Sequence, residues 1–110
     1  MFPEFERLEI IYNDDVPCIE LIGDHYSIHY QIWFDDCPVE TKFVTAKRLH
    51  GTIPNVAHFT GANEWPAQYP INVHINLVLP GSGFCVASGL IFTYTPVYIE
   101  GILVPLKFPL

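Results

Sequence analysis

Prolines and glycines punctuate this chain so densely that long helices have no room to form. Ten prolines and seven glycines fall among 110 residues, and a proline inside a helix costs about 3 kcal/mol. Between these breaks lie many β-branched and aromatic residues, which suit pleated strands. Half of the chain is apolar, too much for disorder, and the length supports one core rather than two. The expected fold is all-β: a single domain over residues 1–110, an antiparallel β-sandwich or small β-barrel of about seven short strands.

Alternation with period two places those strands. "FERLEIIY" (5–12) puts Leu8, Ile10 and Tyr12 on one face, and "NDD" (13–15) turns the chain into "VPCIELI" (16–22). "HYSIHYQIWF" (25–34) alternates Tyr26, Ile28, Tyr30, Ile32 and Phe34 with His25, Ser27, His29, Gln31 and Trp33. It reads as one strand, closed by Asp35 to Pro38, and "VETKFV" (39–44) would complete a meander over residues 5–44. Residues 45–70 show no such pattern and read as a long irregular loop, with a helical turn near Thr45–Leu49; loops of this length are functional or hide an element. "INVHINLVL" (71–79), the turn "PGSG" (80–83), "FCVASGLIFTY" (84–94) and "PVYIEGILV" (96–104) supply the remaining strands, Gly89 marking a bulge or a close backbone approach.

Charge is distributed unevenly. Residues 1–40 hold ten carboxylates against Arg7 alone, net −9, and residues 41–110 hold two against four basic residues, net +2. An acidic half repels phosphate, so nucleic acid is not an expected partner; it would instead steer a basic protein partner. Trp65 to Ile99 carries no Asp, Glu, Lys or Arg. Prolines and glycines divide it too often for a spanning helix, so no membrane partner is expected, and both faces of these strands should be covered, by a second sheet or by another chain. The basic cluster Lys47, Arg48 and His50 should contact the protein's own acidic half, with an anion site as the alternative. Three cysteines without a CxxC pair form neither a disulfide framework nor a zinc finger, and the acidic, interrupted start is not a secretory signal, so the expected home is the cytoplasm.

No catalytic constellation emerges, and the chain reads as a non-enzyme without cofactor or metal. His25 and His29 on a strand lie roughly 13 Å apart, at about 3.3 Å per residue, beyond the reach of one ion. Ser82 sits in a hairpin turn rather than a strand-to-helix elbow. Cys37 beside two aspartates has its thiol pKa raised, which makes it a poor nucleophile.

The expected function is therefore that of a small acidic protein-binding domain, an inhibitor or immunity-type protein acting on a basic partner. Glu6, Glu9, Asp14, Asp15, Asp35 and Asp36 would steer that partner; Trp33, Trp65 and Tyr69 would touch or anchor it. The alternative is a structural subunit of a virion or other assembly, with a homo-oligomer formed through the apolar C-terminal strand "GILVPLKFPL".

Overall fold

The computed structural model describes residues 2–60, 70–95, 97–99 and 102–104. Two four-stranded antiparallel sheets form a sandwich. The first sheet orders β1 (Glu4–Asn13), β2 (Val16–Asp24), β6 (Arg48–Thr52) and β5 (Thr41–Thr45) side by side. The second orders β4 (Cys37–Pro38), β3 (Gln31–Phe34), β7 (Ile71–Leu79) and β8 (Phe84–Tyr94). One helical turn, α1 (Ala57–Thr60), follows the first sheet, and β9 (Val97–Ile99) pairs with β10 (Ile102–Val104) as a separate ribbon.

The core lies between the sheets. Ile19, Leu21 and Leu49 from the first meet Ile32, Phe34, Val73, Ile75, Leu77, Phe92 and Tyr94 from the second, all buried. Tyr94 keeps its hydroxyl satisfied by donating to Pro54 O at 2.7 Å. Between the sheets the chain is pinned by Thr41, whose Oγ1 accepts from Ile32 N (2.8 Å) and donates to Val39 O (3.0 Å).

The all-β sandwich expectation holds, as do the strands at 5–12, 16–22, 71–79 and 84–94. The meander does not. β2 pairs with β6 and β3 with β7, so the chain changes sheets between Asp24 and Gln31. That crossing splits the strand expected at 25–34. His25 has φ +64, and Tyr30 N reaches Ser27 O at 3.4 Å in a turn. Only Gln31–Phe34 is strand, and Ile28, expected inside, is 68% exposed.

The irregular stretch hid an element. β6 is a central strand, and its Gly51 disguised it. A Cβ there would come 2.9–3.3 Å from the Ile32 side chain across the sandwich, so close inter-sheet packing demands glycine. The helical turn expected at Thr45–Leu49 is the β5–β6 hairpin, and the helix lies at Ala57–Thr60 instead.

Candidate binding faces

Cross-strand register gives the outer side of each sheet. On the first sheet one row runs Glu9, Glu20, His50, Lys42, and the next runs Arg7, Ile22, Arg48, Thr45. Glu9 thus faces Glu20 directly, an unfavourable pairing unless both are neutralised. Arg7 bonds Glu9 through Nε (3.0 Å) and Glu6 through Nη1 (2.8 Å). Glu20 is held by Arg48 and by His50 Nε2 at 2.8 Å. The hydrogen bond from His50, followed by the charge of Arg48, holds the Glu20 carboxyl below its ordinary range despite partial burial. His50 Nδ1 meets Asn13 Nδ2 at 3.1 Å, which brings the end of β1 into the same network. Beside this network Asn13, Val16, Cys18, Glu40, Lys42 and Thr52 line a groove of 270 Å³.

The second sheet is different: none of its four strands contains Asp, Glu, Lys or Arg. Its outer rows are Pro38, Trp33, Asn76, Ala87, then Gln31, Val78, Cys85, then His74 with Ile91, then Asn72 with Thr93. Thr93 Oγ1 donates to Asn72 Oδ1 at 2.7 Å, and Trp33 Nε1 donates to Gln31 Oε1 at 3.1 Å. The first sheet covers the inner side of these strands, and among the described residues nothing covers the outer side. Asn72, His74, Cys85, Ala87, Ile91 and Thr93 are all exposed.

The bulge predicted at Gly89 interrupts the edge strand of this sheet. The register runs from His74↔Ile91 to Asn76↔Ala87, so Ser88, Gly89 and Leu90 oppose Ile75 alone. Gly89 has φ +77, which glycine adopts without strain. Ser88 Oγ donates to Ile75 O within the gap.

The residues expected to bind a partner are scattered rather than gathered. Glu6 and Glu9 lie on edge strand β1, and Asp14 and Asp15 form the β1–β2 turn with φ +50 and +65. Asp35 and Asp36 turn β3 into β4, where Asp35 Oδ1 accepts from His74 N at 2.9 Å. Trp33 is on the uncharged face; Trp65 and Tyr69 lie outside the described residues, as does the C-terminal end of the segment expected to join subunits. Cys37 has its thiol pushed up, mainly by burial and secondarily by Asp36. Cys18, Cys37 and Cys85 are free. Among the described residues the one metal-type grouping is Glu4, Asp24 and His25, a combination not anticipated from the sequence. No helix among the described residues is long and apolar enough to cross a membrane.

Fold and faces together define an immunoglobulin-like sandwich with two exposed sheet faces of different chemistry. The chain belongs to the TIG domain family of the TIG_SUH type, whose model matches residues 2–94. It is 32% identical over 96 residues to the recombining binding protein suppressor of hairless-like proteins of Homo sapiens and Mus musculus. Each alignment covers 87% of this chain, which spans 18% of either relative's length.

This kinship corrects the expectation that nucleic acid is excluded as a partner. Domains of this family in such proteins are associated with nucleic-acid binding. The argument from net charge fails because carboxylates close in sequence are not one acidic surface. Arg7 pairs with Glu6 and Glu9, Arg48 and His50 hold Glu20, and no strand of the second sheet carries an Asp, Glu, Lys or Arg to repel phosphate. The contact expected between the basic cluster and the acidic half is present, made by Arg48 and His50 on Glu20.

Proposed function

We propose that this chain is a non-catalytic binding domain of a nucleic-acid-associated regulatory protein, and that it docks protein surfaces on the uncharged outer side of the β4-β3-β7-β8 sheet. The observation that carries this reading is segregation of charge. One sheet carries ionic side chains, with Arg7, Glu9, Glu20 and Arg48 in internal pairs, while the strands of the other expose Ile91, Ala87 and Cys85 with amide and hydroxyl groups and nothing ionic. Interface centres are poor in charge, and such a face is inexpensive to desolvate. Neither the inhibitor nor the virion-subunit reading gains support from the family relationship. The compartment proposed is the nucleus, where suppressor of hairless-like regulators would work, in place of the cytoplasm.

A photo-crosslinking residue placed at Thr93, and separately at Glu9, tests this reading in nuclear extract. The expected result is protein adducts from Thr93 that disappear with Ile91→Asp. Equal adducts from both positions, insensitive to that substitution, would count against it.

The first sheet supports a second contact, to phosphate. Lys42 and Lys47 on the β5–β6 hairpin make no ion pair among the described residues. Two phosphate contacts give a log–log salt slope of about −2 for duplex DNA. Lys47→Glu should weaken duplex binding equally for all sequences and flatten that slope. A slope unchanged by the substitution removes the hairpin from the interface.

A further inference from the structure

The sandwich has four edge strands, and three of them are guarded. β1 carries Glu6, Arg7 and Glu9 and a register shift between Phe5 and Arg7; β5 is short and holds Lys42; β4 is two residues, one of them Pro38. Charge, brevity and proline are devices that stop an edge from pairing with another chain. β8 has none of them: it is an edge strand of 11 residues without a charge or a proline. Among the described residues no strand pairs with its free side, since β9 and β10 pair with each other.

Register shows which backbone groups that free side presents. Asp35 N donates to His74 O at 2.8 Å, so the backbone of His74, and with it that of Asn76 and Val78, is directed at β3. The alternate residues Val73 and Leu77 are then directed at β8, where they pair with Phe92 and Val86. That leaves the N–H and C=O groups of Cys85, Ala87, Ile91 and Thr93 pointing away from the sheet. These four stand opposite Val78, Asn76, His74 and Asn72, so they recur at ordinary two-residue spacing and the Gly89 bulge leaves the row intact. The margin beside the row is apolar. Phe2 stacks on Phe84 at 6.0 Å, and β1 lies across the sandwich from β8. Ile10 pairs with Ile19 and Tyr12 with Pro17 on the inner side of their sheet, yet Ile10 is 50% exposed and Tyr12 59%. The sandwich is open along this margin.

We propose that the free edge of β8 takes up an extended segment of a partner protein as a fifth strand of the second sheet, and that this segment is uncharged with an apolar residue at every second position. A strand is the occupant because an extended backbone matches a row of N–H and C=O groups at two-residue spacing. Residues bonded to the row carry their side chains onto the uncharged outer side, beside Ala87 and Ile91, where a charge would find no partner. The residues between them point inward, towards Ile10 and Tyr12, and cover what β1 leaves exposed. The row matches Asn72 to Val78 of β7, so the segment needs about seven residues. The edge is a different site from the outer face, and either can bind without the other.

The test is amide exchange by NMR on the whole chain, with a synthetic peptide of the β7 sequence, "INVHINLVL", made soluble by lysines added at its end. β7 is the strand that β8 already accepts on its other side. In the free chain the Cys85, Ala87, Ile91 and Thr93 amides should exchange fast while those of Val86 and Phe92 exchange slowly. The peptide should slow the four at least about tenfold. N-methylation of one alternate set of peptide nitrogens should abolish this, and methylation of the other set should leave it, because only one set faces β8. Ile10→Asp, on a different strand, should weaken the peptide at least about tenfold. Four amides already as slow as Val86, or unmoved by the peptide, overturn the proposal. So does equal protection from both methylated peptides, which would mean contact through side chains alone, or binding indifferent to Ile10→Asp. None of these outcomes depends on whether Thr93 crosslinks a partner through the outer face.

Discussion

The two outer faces of this sandwich use polarity for different ends. On the β1-β2-β6-β5 sheet, ionic groups hold strands together: Glu20 alone joins β2 to β6 through Arg48 and His50, and Asn13 brings in the β1–β2 turn. On the β4-β3-β7-β8 sheet the outer side-chain bonds among the described residues join neutral groups, Thr93 of β8 to Asn72 of β7 and Trp33 to Gln31, and the strands otherwise rely on backbone pairing and the shared core. The first face is polar because its polarity is structural. The second is uncharged and exposed, which costs little in isolation and suits a surface that desolvates on binding.

Substitutions should separate the faces, most sharply at Glu20. Glu20→Ala leaves Arg48 and His50 unpaired at a partly buried position, and we expect a loss of about 2–3 kcal/mol in chemical denaturation. Ile91→Lys on the other face should change stability by no more than about 1 kcal/mol. Comparable losses from the two would erase the distinction.

Gly89→Ala comes next. It forces a side-chain-bearing residue to φ +77, and the expected cost is about 1–2 kcal/mol with loosening of the β7–β8 edge. Open space surrounds that Cβ position, so the effect isolates backbone strain from steric clash.

Acid provides a finer test. The Glu20 carboxyl is held below its ordinary value in the folded chain, so its contribution is present above the unfolded carboxyl pKa of about 4.3. It is lost as pH falls through the folded value. Glu20→Gln should therefore flatten the acid limb of the stability curve. A limb identical to that of the unmodified chain would mean the network carries no folding energy. The smallest effect belongs to Glu9→Gln, an exposed pair with Arg7, at less than about 0.5 kcal/mol.

Much of this was legible in the sequence, and the failures share a cause. Strands β1, β2, β7 and β8 stood out because alternation is local, and so did the Gly89 bulge and the Asp14–Asp15 turn. The crossing at 25–30 was misread because its apolar parity continues through residues that leave the strand. Ile28 keeps the pattern and faces solvent. β6 was missed because Gly51 looks like a breaker until Ile32 is seen packed against it from the other sheet. The charge argument failed for the same reason. Arg48 and His50 meet Glu20 through a register that only pairing reveals, the strands of the second sheet carry no charge, and so the exclusion of nucleic acid drawn from net charge did not survive. The free sheet face was half visible in the uncharged run from Trp65 to Ile99, but whether a second layer covered it depends on topology.

The central claim is that the uncharged sheet binds and the charged sheet supports. Its most direct test is the affinity of the protein captured at Thr93 for two variants of this chain. Ile91→Asp should weaken that complex at least about tenfold, as expected when a charge enters an interface core, while Glu9→Gln stays within about twofold. A complex indifferent to Ile91→Asp, or one weakened more by Glu9→Gln, would contradict the account.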